Sequence, residues 1–140
     1  MEIESGNVLD LDTHGTGWFV GFGAWARDGS ADLRYLPETT RSRGLCLKWM
    51  DHPAGDPRGA AKPPSVGRTL SILVGEAGRF RLEFSESPGF PEGQTVAHVL
   101  ARRGDFVAWG EGLHHRWSVE EACTVLTLRW IPDDPAGPGT

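Results

Sequence analysis

Two short stretches of the chain carry the side chains most able to do chemistry. In GLCLKWMDH, beginning at Gly44, a strand would alternate its side chains between two faces. Cys46, Lys48, Met50 and His52 then share one face, and Leu45, Leu47 and Trp49 share the other. The first of these faces is polar where a packed interior would be apolar, and a polar-lined concavity is a ligand site. In GDFVAWGEGLHHRW, beginning at Gly104, His115 opens a strand after a glycine-bounded turn, and Trp117 shares its face at a spacing of two. An imidazole titrates near neutrality, so His52 and His115 are candidates for proton transfer or for holding a metal. Lys48 and Arg129 are charged residues inside segments otherwise built for burial. Each must reach solvent, pair with a carboxylate or meet an anionic ligand. The Met50 thioether suits soft ions such as Cu(I), but an isolated methionine also serves as core filling.

Positioning these residues calls for strands. Apolar and β-branched runs recur from Thr16, Gly44, Arg68, Arg79, Thr95, Asp105, His114 and Cys123, separated by turn residues. Eight strands suffice to close a small barrel. LVGEAGRF, between Leu73 and Phe80, predicts a hairpin across a glycine-bounded turn. The proline- and glycine-rich segment from His52 to Gly67 is excluded as a helix or central strand and reads as an ordered loop or lid. A weak helical pattern runs from Asp28 to Leu36. The expected organisation is one domain over residues 1–132 with a flexible tail over 133–140.

Composition narrows the class of function. Fourteen basic residues stand against nineteen acidic ones, a formal charge of −5, with no basic stripe, so nucleic acid is not an expected partner. The run from Gly17 to Ala26 is broken by glycine and too short to span a bilayer, and a soluble cytoplasmic protein is expected. Cys46 and Cys123 form neither a CxxC pair nor a disulfide framework. His14 reads as a solvated loop residue, His114 as facing away from His115, and His98 as undecided between the two faces of its strand. Trp109 and Trp130 read as packing elements, whereas Trp117 is a candidate pocket wall.

The Gly104–Trp117 segment resembles the second motif of the cupin superfamily. Gly104 matches its first glycine, Gly112 its turn glycine and His115 its metal-binding histidine; Gly110 replaces the usual proline and Val119 the usual asparagine. A first motif follows from Gly44, with His52 keeping the second histidine, Met50 replacing the first and Asp56 replacing the glutamate. Gly17-Trp18-Phe19, Lys48-Trp49 and Arg129-Trp130 with Pro132 are similar to features of a group of small bacterial cupins, over about residues 16 to 132. The resemblance implies an all-β, single-domain cupin: a double-stranded β-helix, or jelly-roll barrel, with its site in the mouth.

It also implies a divalent transition metal, Fe, Mn, Ni or Zn, on His52, Asp56 and His115, two imidazoles and a carboxylate leaving open positions. Lys48 joins His52 and His115 as a catalytic candidate, and Lys48, Met50, Trp117 and Arg129 are substrate-binding candidates. The function expected is that of a metal-dependent enzyme on a small organic substrate: an oxygenase, decarboxylase, isomerase or cyclase. The alternative is a metal-free cupin that binds, isomerises or cyclises its ligand with His52 and His115 directly. A homodimer is expected, with the Trp18–Trp25 segment as a pairing strand.

Overall fold

The structure is a computed structural model that describes residues 1–23 and 33–133. Ten strands follow one another: β1 (Ile3–Asn7), β2 (Gly21–Phe22), β3 (Tyr35–Leu36), β4 (Ser42–His52), β5 (Arg68–Leu73), β6 (Arg79–Ser85), β7 (Val96–Leu100), β8 (Asp105–Trp109), β9 (His114–Glu121) and β10 (Cys123–Pro132). The larger sheet has the order β1-β8-β5-β10-β4 and the smaller one β7-β6-β9; all their pairings are antiparallel. From β5 onward the chain crosses repeatedly between the two sheets. The fold is an all-β jelly roll of the cupin type. No helix among the described residues is long and apolar enough to cross a membrane.

Alternation along each strand explains the layers. Inward from the larger sheet point Leu73, Val107, Trp109 and Val125, which pack against Phe80, Leu82, Phe84, Leu100 and Val119 of the smaller one. Each fully buried apolar side chain of this kind contributes about 1.5–3 kcal/mol over leaving it exposed. Leu70, Ile72, Phe106 and Ala108 point the other way and are covered by Val8, Leu11, Phe19 and Leu33. Strands β5 and β8 are thus buried on both faces, which is why RTLSIL and DFVAW read as nearly unbroken apolar runs.

Several expectations are corrected here. Strands β5 and β6 do not form a hairpin: β5 lies between β8 and β10, and β6 lies in the opposite sheet between β7 and β9. Both edges of β5 are taken by other strands, so the glycine turn carries the chain across the gap instead. Strand β1 has no apolar run to announce it, since IESGN is largely polar and pairs at the edge of the sheet with β8. The run from Thr16 yields only the two-residue β2, which pairs in parallel with β3, while residues 24–26 of it lie outside the described residues. Of the helical pattern, residues 28–32 also lie outside; Tyr35 and Leu36 are strand, not helix. Residues 134–140 of the expected tail lie outside as well.

Strand β4 is an edge strand of the larger sheet and, among the described residues, pairs with β10 alone. Gly44, at φ 64°, sits in the left-handed region where the register shifts between Arg129 and Ile131, the geometry of a bulge. Beyond it β4 runs in register to His52, so that Lys48, Met50 and His52 all turn toward the smaller sheet.

Candidate functional site

A cavity opens between the sheets at the β4 end. Strand β4 contributes Lys48, Met50 and His52, β10 contributes Thr127 and Arg129, and β5 contributes Thr69 and Ser71. Strand β8 of the same sheet contributes Trp109, and from the facing sheet come His115 and Trp117 of β9. His52 and His115 are buried, whereas Lys48 and Arg129 are exposed at the mouth. The structure therefore gathers every residue expected to bind substrate, and both histidines, around one cavity.

The segment from Pro53 to Gly67 holds β9 in place. Its backbone runs along the free edge of β9, with hydrogen bonds from Gly55 N to Val119 O (2.8 Å), Trp117 N to Gly59 O (3.0 Å), Lys62 N to His115 O (2.9 Å) and Ser65 N to Leu113 O (2.9 Å). It approaches so closely at Gly59 that a Cβ there would collide with the Trp117 carbonyl oxygen. The expected loop is thus an ordered strap across the site.

That strap delivers Asp56 to His52. The His52 Nδ1 lies 2.8 Å from Asp56 Oδ2. Arg58 donates to the same carboxylate from its backbone N (3.1 Å) and Nε (2.8 Å) to Oδ1, and from Nη2 to Oδ2 (2.6 Å). The Arg58 hydrogen bonds hold the Asp56 carboxyl far below the usual carboxylate range, His52 adds to the effect, and burial opposes it. Asp56 is therefore ionised and can only accept, so His52 Nδ1 carries the proton of this hydrogen bond and Nε2 is the ring nitrogen left to face the cavity. Trp117 meets the His52 ring edge-on at 4.6 Å between centroids, with Phe80 at 5.0 Å on it.

His115 is set differently. Its Nδ1 is buried without a hydrogen-bond partner, and its ring packs against Trp109 with centroids 5.1 Å apart. Burial first, then the charges of Arg129, Lys62 and Lys48, push its pKa down to about 4, so the ring is neutral near pH 7. Burial likewise lowers the Lys48 ammonium, reinforced by Arg129 and Lys62. Arg129 Nε donates to Thr69 Oγ1 at 3.2 Å, and the hydroxyls of Ser71 and Thr127 share a hydrogen bond of 2.8 Å.

The remaining candidates fall elsewhere. Asp56 stands behind His52, outside the cavity lining, with both oxygens engaged. Among the described residues no three His, Cys, Asp or Glu side chains converge as a metal-binding group. His114 turns away, its Nδ1 3.4 Å from Lys62 O; His98 lies on the inner side of β7 but lines a separate cleft beside Asn7 and Asp105. His14 is exposed. Sequence reasoning missed Thr69, Ser71, Thr127 and Arg58. The first three were signalled by alternation, since Thr69 and Ser71 share a face opposite Leu70 and Ile72, and Thr127 shares one with Arg129. Arg58 gave no signal.

No family model matches the chain, and no curated protein matches it. Among solved structures it is similar to Streptomyces albus HEPD with 2-hydroxyethylphosphonate and Fe(II) bound, at 21% identity and a TM-score of 0.49, over 67% of this chain and 19% of that one. It is similar to hydroxypropylphosphonic acid epoxidase from S. wedmorenis in complex with fosfomycin, at 10% identity and a TM-score of 0.47, over 61% of this chain and 43% of that one. A third similarity is to Drosophila melanogaster CENP-C bound to CAL1, at 19% identity and a TM-score of 0.44, over 62% and 64% of the two chains. The chain thus spans less than half the length of the two bacterial proteins.

Proposed function

We propose that the chain is a cupin-type enzyme acting on a small organic molecule between its sheets, with His52 and His115 moving protons directly. The observation that carries this reading is that two imidazoles, one from each sheet, line the same cavity in unlike electrostatic settings. His52 has its Nδ1 proton held by an ionised carboxylate, which would stabilise the imidazolium formed when Nε2 takes a proton. His115, kept neutral by burial, would give or accept a hydrogen bond at the other end of the ligand. Isomerisation and cyclisation, in which a proton leaves one atom and returns to another, need no more than this pair. Trp117 and Met50 would wall the ligand from water. We place the activity in the cytoplasm, in a homodimer, and the chain among the small bacterial cupins that its glycine, tryptophan and histidine positions resemble.

The metal-dependent reading is the competing one, supported by the unpartnered Nδ1 and neutral ring of His115. Its ligand set of His52, Asp56 and His115 does not fit a resident dication. Arg58 occupies the carboxylate, the two imidazoles bring no negative charge, and Lys48, Lys62 and Arg129 add positive potential. Elemental analysis of protein purified without chelator separates the readings. We expect no stoichiometric transition metal. About one equivalent of Fe, Mn, Ni or Zn, lost in His52→Ala and His115→Ala, would replace our proposal with the metal-dependent one. For the acid–base pair, Asp56→Asn should lower turnover about 100-fold or more while leaving ligand affinity nearly unchanged; equal losses in both would assign Asp56 to binding.

A further inference from the structure

The cavity carries positive charge with nothing opposite it. Lys48 and Arg129 line it, and among the described residues its lining includes no Asp or Glu. Neither cation forms an ion pair with a described carboxylate. The two are neighbours by register: Thr127 of β10 faces Lys48 across the ladder and Arg129 lies two residues further along. Such diagonal positions bring backbones within roughly 7–8 Å, close enough for two long side chains to share one oxyanion. Arg129 is also anchored, because its Nε is committed to Thr69 Oγ1. Its terminal amino groups make no hydrogen bond among the described residues and present the planar fork that matches a carboxylate or phosphoryl group. The Ser71 and Thr127 hydroxyls, bonded to each other, lie on the same wall.

We infer that the substrate is a small organic acid whose oxyanion is clamped by Lys48 and Arg129 at the cavity mouth, where a cleft of about 200 Å³ lined by Cys46, Leu47, Lys48, Thr127 and Arg129 leaves room for it on the approach to the two buried histidines. The clamp stands on the cations alone; which end reacts rests on the acid–base reading above. Carboxylates and phosphonates share the required chemistry, so the test uses both.

Binding is measured by calorimetry on the full chain with benzoate, succinate and phenylphosphonate, and with benzamide as the neutral counterpart of benzoate. At least one acid should bind, benzamide at least about tenfold more weakly than benzoate, and Lys48→Met and Arg129→Gln should each weaken the acid about ten- to hundredfold. Lys48→Arg, which keeps the charge, should retain binding, and melting curves of the unliganded variants verify their folding. Comparable affinity for benzamide and benzoate, unchanged acid affinity in both charge-removing variants, or no binding by any acid overturns the clamp. Acid binding that is lost in the clamp variants but kept in His52→Ala and His115→Ala, with turnover also unaffected in the histidine variants, upholds the clamp and rejects the acid–base reading. The relative affinities for succinate and phenylphosphonate then identify the preferred oxyanion.

Discussion

His52 and His115 illustrate how one residue type acquires two characters from its surroundings. His52 is tied to an ionised Asp56, while His115 has a lone buried Nδ1 and three cations acting on it. The depressed pKa of His115 has a consequence for stability. Its unfolded pKa is near 6.5 and its folded value about 4, so between these the unfolded chain binds more protons. Above pH 6.5 the ring is neutral in both states and contributes no slope. As pH falls from about 6.5 to 4 stability should drop, by at most about 3 kcal/mol from this group, with His98 acting in the same direction. Chemical denaturation at several pH values checks this. His115→Phe should flatten the slope in that window, and an unchanged slope would remove His115 as its source. Asp56, whose pKa is depressed, loses its contribution only at more acidic pH.

The strap over β9 and the edge strand β4 contribute differently to the site. Four backbone hydrogen bonds place the strap on β9 and on Leu113 just before it, and its close approach at Gly59 leaves no room for a side chain. Gly59→Ala should therefore cost about 1–3 kcal/mol by pushing the strap off Trp117. The same variant should weaken ligand binding, because the strap bonds at Gly59 to Trp117, which lines the cavity. Denaturant titration and calorimetry measure the two effects; a change below about 0.5 kcal/mol would show that the strap yields freely at this point. Strand β4 needs no such support along its outer face, where Leu45, Leu47 and Trp49 are 66%, 61% and 63% exposed. Alternation along GLCLKWMDH correctly separated this face from the one bearing Lys48, Met50 and His52. It did not say that the apolar face would be the outer one.

For the whole molecule, the net charge of −5 and the positive cavity are distributed in opposite senses. The exposed apolar face of β4 and its long edge, unpaired among the described residues, support the proposed homodimer, since long apolar edges are sites of strand addition. Sedimentation velocity at several concentrations should show a dimer, and Trp49→Lys should shift it toward monomer. A monomer at every concentration removes the dimer from the proposal. The Trp18–Trp25 segment first expected to pair contributes β2, which is matched with β3, and its residues 24 and 25 lie outside the described residues.

Much of this protein was legible in one dimension. Recurring apolar runs marked seven of the ten strands, and alternation sorted Lys48, Met50 and His52 onto one face and put Trp117 on the face of His115, because strand geometry is local and repeats every two residues. The resemblance of the Gly44 and Gly104 segments to the cupin motifs implied the jelly roll. Tertiary structure alone decided that β5 and β6 would part into separate sheets, because strand partners compete across the whole chain and the edges of β5 go to β8 and β10. It also decided that Arg58 would take up Asp56 and that the inner wall would carry Thr69, Ser71 and Thr127 beside two cations that have no ion pair among the described residues. Those relations depend on which residues meet across the gap between sheets, a distance in space that spacing along the chain does not encode.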